Sequence, residues 1–191
     1  MSIADVILMR MFGRPRGRLG RLGGVIMARM NDDKGAWAVE LLEIESNDSV
    51  LEIGFGPGIV VQYLSKRVSA GHVTGADISS VMVSQAQARN LDSIRNGRVD
   101  LCQASVESLP FKEEAFDKAL AINSMQIWPN PVAGLKELRR VIKPAGRIVL
   151  GFTPHSRQSK EGVAGRLLAA GFFEPQLVQK DKGFCVLAMR L

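Results

Sequence analysis

Cysteine, histidine and tyrosine are scarce in this sequence: its 191 residues include two, two and one of them respectively. The two thiols, Cys102 and Cys185, each lie inside an apolar strand-like run. That placement excludes a disulfide framework or a thiolate metal cluster and suits small buried side chains in a reducing compartment. His72 and His155 are the only imidazoles, so no metal centre is expected. No stretch reaches the roughly 18 uncharged apolar residues of a membrane-spanning helix. Asp5 and a series of arginines interrupt the apolar N-terminal stretches, so a secretory leader is not expected either. Internal repeats, low-complexity tracts and domain-splitting linkers are missing as well. The expectation is one cytoplasmic domain spanning 1–191 with enough apolar content to bury a core.

Positive charge is present, but unevenly. Arg10, Arg14, Arg16, Arg18, Arg21 and Arg29 face one acid, Asp5, in the first 30 residues, a local +5 out of a whole-chain +6. A basic arm of this kind can meet an anionic small molecule, nucleic-acid phosphates or an acidic lipid surface by peripheral contact, or it can be a solvated face. Its glycines and its apolar residues together suggest a segment, 1–48, that folds over the remainder as a helical cap or lid. Within it, "DDKGAWAVELLEI" is read as a helix turning Trp37, Leu41 and Ile44 inward.

From residue 49 onward, strand and helix patterns alternate. "SVLEI", "HVTGAD", "VDLCQ", "FDKALAI" and "RIVLGF" read as strands. Helices are expected from Gly58 to Val68, from an N-cap at Ser79 to about Asn90, over "VAGLKELRRVI" and over "GVAGRLLAAGF". The runs "QLVQ" and "FCVLAM" are separated by too few residues for a crossover helix and should form an antiparallel hairpin. The predicted fold is an α/β three-layer Rossmann-like sandwich. Its seven-stranded sheet is mostly parallel, with one antiparallel C-terminal strand and the N-terminal cap added.

In such sheets ligands bind beyond the carboxyl ends of the strands. Gly54, Gly56 and Gly58 follow the first strand there, where bare backbone allows a sharp turn and a close ligand approach. Asp77 ends the second strand, 23 positions after Gly54, where a carboxylate can accept hydrogen bonds from a ribose diol. The pair specifies an adenosine-like ligand. A dinucleotide fingerprint would continue to a small residue at the position of Ile59, so the spacing argues against NAD.

Glu52 followed by Gly54-Phe55-Gly56-Pro57-Gly58, then Asp77, "SLPF", "FDKALAINSMQIWPNP" and "ELRRVIKPAGRIVL", resembles the class I S-adenosylmethionine-dependent methyltransferases. The pattern is most similar to the small-molecule branch containing the ubiquinone and menaquinone biosynthesis enzymes, the methyltransferase type 11 domain. The resemblance implies S-adenosylmethionine as cofactor. Gly54, Gly56 and Gly58 would line its methionyl part, and Glu52 would orient that loop or the amino group. Asp77 would hold the ribose, with Ile78 against the adenine. Ser105, beside Val106, stands where the family usually places an aspartate that bonds the adenine amino group. Asn123 would face the methionyl amine, with Ser124, Met125 and Gln126 approaching the methyl group.

Gln126 and Trp128 are candidate substrate contacts, or else a polar rim residue and a packed aromatic. His155, after the fifth strand, is the imidazole placed to act as a base should the acceptor need one. His72 precedes the second strand, at the opposite edge, and reads as structural. The expected activity is methyl transfer to a small-molecule acceptor whose charge the basic arm would match if it is anionic. RNA modification or RNA binding through that arm is the alternative.

Overall fold

The computed structural model describes residues 17, 19–20, 22–24, 32–181 and 183–191. The arginines of the basic arm, and with them most of the expected cap, lie outside the described residues. Strands β1 (Ser49–Ile53), β2 (His72–Asp77), β3 (Val99–Gln103), β4 (Phe116–Ile122), β5 (Ile142–Phe152), β6 (Phe173–Lys180) and β7 (Gly183–Met189) form one sheet in the order β3-β2-β1-β4-β5-β7-β6. Only β7 runs against its neighbours, pairing antiparallel with both β5 and β6. This is the seven-stranded, mostly parallel sheet that the sequence predicts.

Helices cover both faces because alternate strand residues are apolar on both sides, as in a doubly covered parallel sheet. On one face Val50, Val73, Leu120, Val149 and Cys185 are buried beneath α1 (Asp32–Leu41), α2 (Ile59–Arg67) and α3 (Ser80–Arg89). On the other, Leu51, Ala119, Ile148, Leu150 and Val186 pack under α5 (Pro131–Val141) and α6 (Val163–Ala169). A one-turn helix, α4 (Leu91–Arg95), follows α3 and has no apolar signature in the sequence.

Local chemistry sets the helix starts that matter here. The hydroxyl of Ser79 accepts the amide of Met82 at the start of α3, and Asn130 accepts from Ala133 at the start of α5. Both are side-chain caps of the usual kind. Gly58, at φ 79°, opens α2 in a left-handed conformation that a side chain would resist.

Two readings change. In α1 and the turn after it the deeply buried residues are Ala38, Val39 and Leu42, while Trp37, Leu41 and Ile44 are only half-buried around them. All three still pack against the core, and Ala38 goes deepest, its Cβ 3.5 Å from where a Cβ on Gly151 would stand. Strand β5 begins at Ile142, directly after α5, rather than at Arg147. Ile142 pairs with Phe116, and a register shift between Phe116 and Lys118 absorbs Pro144 and Gly146 without ending the strand.

Candidate functional site

A cavity of about 130 Å³ opens at the carboxyl ends of β1, β2 and β4. Its inner wall is the turn from Gly54 to Pro57, and its far side is formed by Asp77, Ile78, Ser105 and Val106. Trp128 and Pro129 close it from the loop after β4.

Three side chains distant in sequence hold the glycine turn in shape. Asp77 Oδ2 accepts the Gly56 amide at 2.9 Å, while its Oδ1 accepts the Ser79 amide at 2.8 Å. Arg89 Nε donates to the Pro57 carbonyl at 2.9 Å, and Asn90 Nδ2 donates to the Gly58 carbonyl at 2.9 Å. Asn90 was legible only as a helix end. Its role depends on where α3 lands against the turn, which no local pattern reveals.

The three glycines serve three different needs. A Cβ at Gly54 would lie 2.5 Å from that of Ser124, so this glycine lets the ends of β1 and β4 meet, where Ser124 donates its hydroxyl to the Ile53 carbonyl. At Gly58 a Cβ would come within 2.6 Å of the Ala86 Cβ, so it is a packing residue under α3 and does not line the cavity. Gly56 has φ 53° and open space where a Cβ would stand, and it borders the cavity. Among the three, it is the one whose missing side chain leaves room for a ligand.

Glu52 lies at the foot of the cavity, only 2 % exposed, and its Oε2 has no hydrogen-bond partner. Burial, with a further push from the nearby Asp77 carboxylate, raises its pKa to about 8. The Asp77 pKa is raised too, by desolvation, although the two backbone amides it accepts pull the other way. A buried acid with an unused oxygen beside open space is suited to a ligand's cationic donor.

Other expected site residues are engaged in different ways. Asn123, at φ 48°, spends its amide on β5: Nδ2 donates to Thr153 Oγ1 at 3.0 Å, and Oδ1 accepts the Thr153 amide at 2.8 Å. It borders the cavity as a strand-end staple. Met125 is buried in the core at 1 % exposure, because the 3-10 turn Met125–Ile127 rotates it inward. Gln126 does not line the cavity, since its Nε2 turns back to the Asn123 carbonyl at 2.7 Å. His155 sits exposed in the 3-10 turn Pro154–Ser156 and is not among the residues lining the cavity. His72 pairs with Asp100 at 3.0 Å, at the opposite end of β2.

Comparison with known proteins matches residues 51–150 to a family described as the methyltransferase domain. An uncharacterized methyltransferase of Bacillus subtilis, YdaC, is 32% identical over 154 residues, which is 79% of this chain and 83% of that protein. The ubiquinone/menaquinone biosynthesis C-methyltransferase of Geotalea daltonii is 30% identical over 115 residues, 60% of this chain and 49% of the relative. Among solved structures, an S-adenosylmethionine-dependent methyltransferase from Aquifex aeolicus superposes with a TM-score of 0.77. It is 22% identical, and the match covers 86% of this chain and 97% of that one.

Proposed function

The chain belongs to the class I S-adenosylmethionine-dependent methyltransferases, and from that premise we propose that it methylates a small-molecule acceptor beside the Glu52–Asp77 cavity. S-adenosylmethionine is the cofactor. The observation that carries the site assignment is Glu52 Oε2, a buried, unpartnered acceptor at the foot of a cavity bordered by the bare Gly56 backbone.

In this reading Glu52 accepts a hydrogen bond from the amino group of the methionyl moiety. Gly54 and Gly56 offer backbone to the same moiety, and Gly58 supports them from beneath α3. Each Asp77 oxygen accepts one amide already and keeps a second lone pair for a ribose hydroxyl. Ile78, nearly half exposed at 48 %, presents an apolar face to the adenine ring, with Val106 beyond it. Ser105 takes the adenine amino group. Asn123 acts by fixing the ends of β4 and β5, and Trp128 walls the cavity. When bound, the cofactor supplies an electrophilic methyl carbon: the acceptor's lone pair forms the new bond as the carbon–sulfur bond breaks, its electron pair staying on sulfur.

The protein's contribution is then orientation and exclusion of water rather than proton transfer. His155 is not among the residues lining the cavity, so the reading favours an acceptor whose nucleophile needs no enzymic deprotonation. Calorimetric titration with S-adenosylhomocysteine, S-adenosylmethionine and NAD tests the site. Binding of the first two and not the third is expected, because Ile59 lines the cavity where a dinucleotide fold needs a small residue. Tight NAD binding without a response to S-adenosylhomocysteine would overturn it.

A further inference from the structure

The carbonyl groups of the glycine turn are held by two adjacent residues. Arg89 Nε takes the Pro57 carbonyl at 2.9 Å, and Asn90 Nδ2 takes the Gly58 carbonyl at 2.9 Å. Gly56, before them, gives its amide to Asp77, whose other oxygen accepts the amide of Ser79, the N-cap of α3. Three consecutive residues of the turn are thus fastened to the two ends of one ten-residue helix.

Asn90 is an expensive choice for a residue that merely ends a helix. It is 3 % exposed, and its Oδ1 has no hydrogen-bond partner among the described residues. A buried amide with an unmet acceptor is less stable there than an apolar side chain of the same shape. Nor does α3 need the side chain as a cap. The backbone amide of Asn90 already reaches the Ala86 carbonyl at 2.9 Å, the same oxygen that Nδ2 also reaches, and its φ of −104° is not left-handed. What the side chain alone supplies is the bond to Gly58. From its own helix that carbonyl receives a longer bond, 3.3 Å from the Gln62 amide.

The bond also has a direction. A trans peptide points its N–H opposite to its C=O, so drawing the Gly58 carbonyl toward Asn90 turns the Ile59 N–H the other way. Ile59 opens α2, where the first amides have no partner within the helix, and it lines the cavity. Arg89 and Asn90 do not line it, so any effect they have on a ligand passes through the backbone of the turn.

We propose that Asn90, seconded by Arg89, is a positioning residue for the cofactor. It fixes the Gly58–Ile59 peptide so that the turn accepts the amino-acid end of S-adenosylmethionine. The nucleoside end, at Asp77, Ile78 and Ser105, does not depend on it. This inference rests on the cofactor reading of the cavity.

S-adenosylhomocysteine and methylthioadenosine separate the two ends, because they share the nucleoside and only the first carries the amino acid. Both are titrated calorimetrically into the native, Asn90→Leu and Arg89→Met proteins, with circular dichroism for folding. Asn90→Leu keeps the shape and removes the donors. It should weaken S-adenosylhomocysteine about tenfold and leave methylthioadenosine within about twofold of native. Arg89 occupies an exposed position, so Arg89→Met spares the core and decides the matter should Asn90→Leu not fold. It should weaken S-adenosylhomocysteine about threefold and methylthioadenosine not at all. Loss of both ligands by the same factor, or native S-adenosylhomocysteine affinity in the folded variants, would overturn the proposal and reduce the two residues to packing. A native protein that binds neither ligand would instead strike the cofactor reading.

Discussion

Asp77 Oδ2 accepts the amide hydrogen of Gly56 at 2.9 Å, joining the end of β2 to the turn after β1 across 21 positions of sequence. The carboxylate therefore shapes the loop as well as facing the cavity. A change at Asp77 acts on ligand binding by both routes.

Asp77→Ala should weaken S-adenosylhomocysteine binding by about 2 to 4 kcal/mol, from charge-assisted hydrogen bonds of about 1.5 to 3 kcal/mol each, partly replaced by water. Asp77→Asn should fall between the two, because one oxygen remains to accept while its NH₂ group faces an amide donor. Calorimetry on both variants, with circular dichroism for folding, checks the order. Normal binding by a folded Asp77→Ala protein would reduce the acid to a loop and helix cap.

Gly56→Ala and Gly58→Ala should separate binding from folding. Both positions have positive φ, costing a side chain about 1 to 2 kcal/mol. At Gly56 the added methyl meets only the cavity, so ligand affinity should drop with a modest shift in melting temperature. At Gly58 it meets Ala86, with Cβ at 2.6 Å and Cα at 2.9 Å, and α3 must move. Gly58→Ala should show the larger loss of melting temperature.

Glu52 should make stability fall as pH rises. Its folded pKa, about 8, lies above the ordinary 4.5, so the folded state holds a proton that the unfolded chain releases. The contribution is fully present below about pH 4.5 and is lost as pH rises through about 8. A shift of this size corresponds to at most about 5 kcal/mol. Urea midpoints between pH 5 and pH 9 should decline in the native protein and flatten in Glu52→Gln. Ligand binding should show the complementary slope, strengthening with pH up to about 8, since a cationic amino group favours the ionised carboxylate.

Ser105→Asp tests the adenine end. Ser105 lines the cavity, and its hydroxyl accepts the Glu107 amide at 3.3 Å. An aspartate can keep that turn with one oxygen and offer the other to the ligand. As a charged acceptor makes the stronger bond, S-adenosylhomocysteine should bind as well as before or up to about tenfold more tightly. Much weaker binding by a folded Ser105→Asp protein would remove Ser105 from the adenine site.

The strands, their order of appearance and the hairpin were legible because apolar runs, turn residues and short links are local signals. Gly54, Gly56 and Asp77 were legible for the same reason: a glycine turn and a strand-end acid keep their spacing in the sequence. Arg89, Asn90 and the contact of Ala38 with Gly151 were not, because each involves a segment brought near only by packing. His155 and Gln126 show where spacing alone stops short, since neither lines the cavity. Sequence places both just after strands at the right edge of the sheet, yet a single 3-10 turn in each case sends the side chain elsewhere. Trp37, read as turned inward, packs half-buried against the core, while Ala38, which no pattern singled out, takes the contact with Gly151.

The reversed direction of β7 has a consequence for how such a chain can diversify. Because β7 starts where β5 ends, with Phe184 opposite Phe152, the turn carrying Lys180 and Asp181 returns to the edge where the parallel strands finish. Lys180 and Asp181 line a small cavity together with Trp37, and neither is among the residues lining the Glu52–Asp77 cavity. Insertions there can reshape that corner of the molecule while the lining of the Glu52–Asp77 cavity stays fixed. The hairpin is thus an exchangeable module on an unaltered platform.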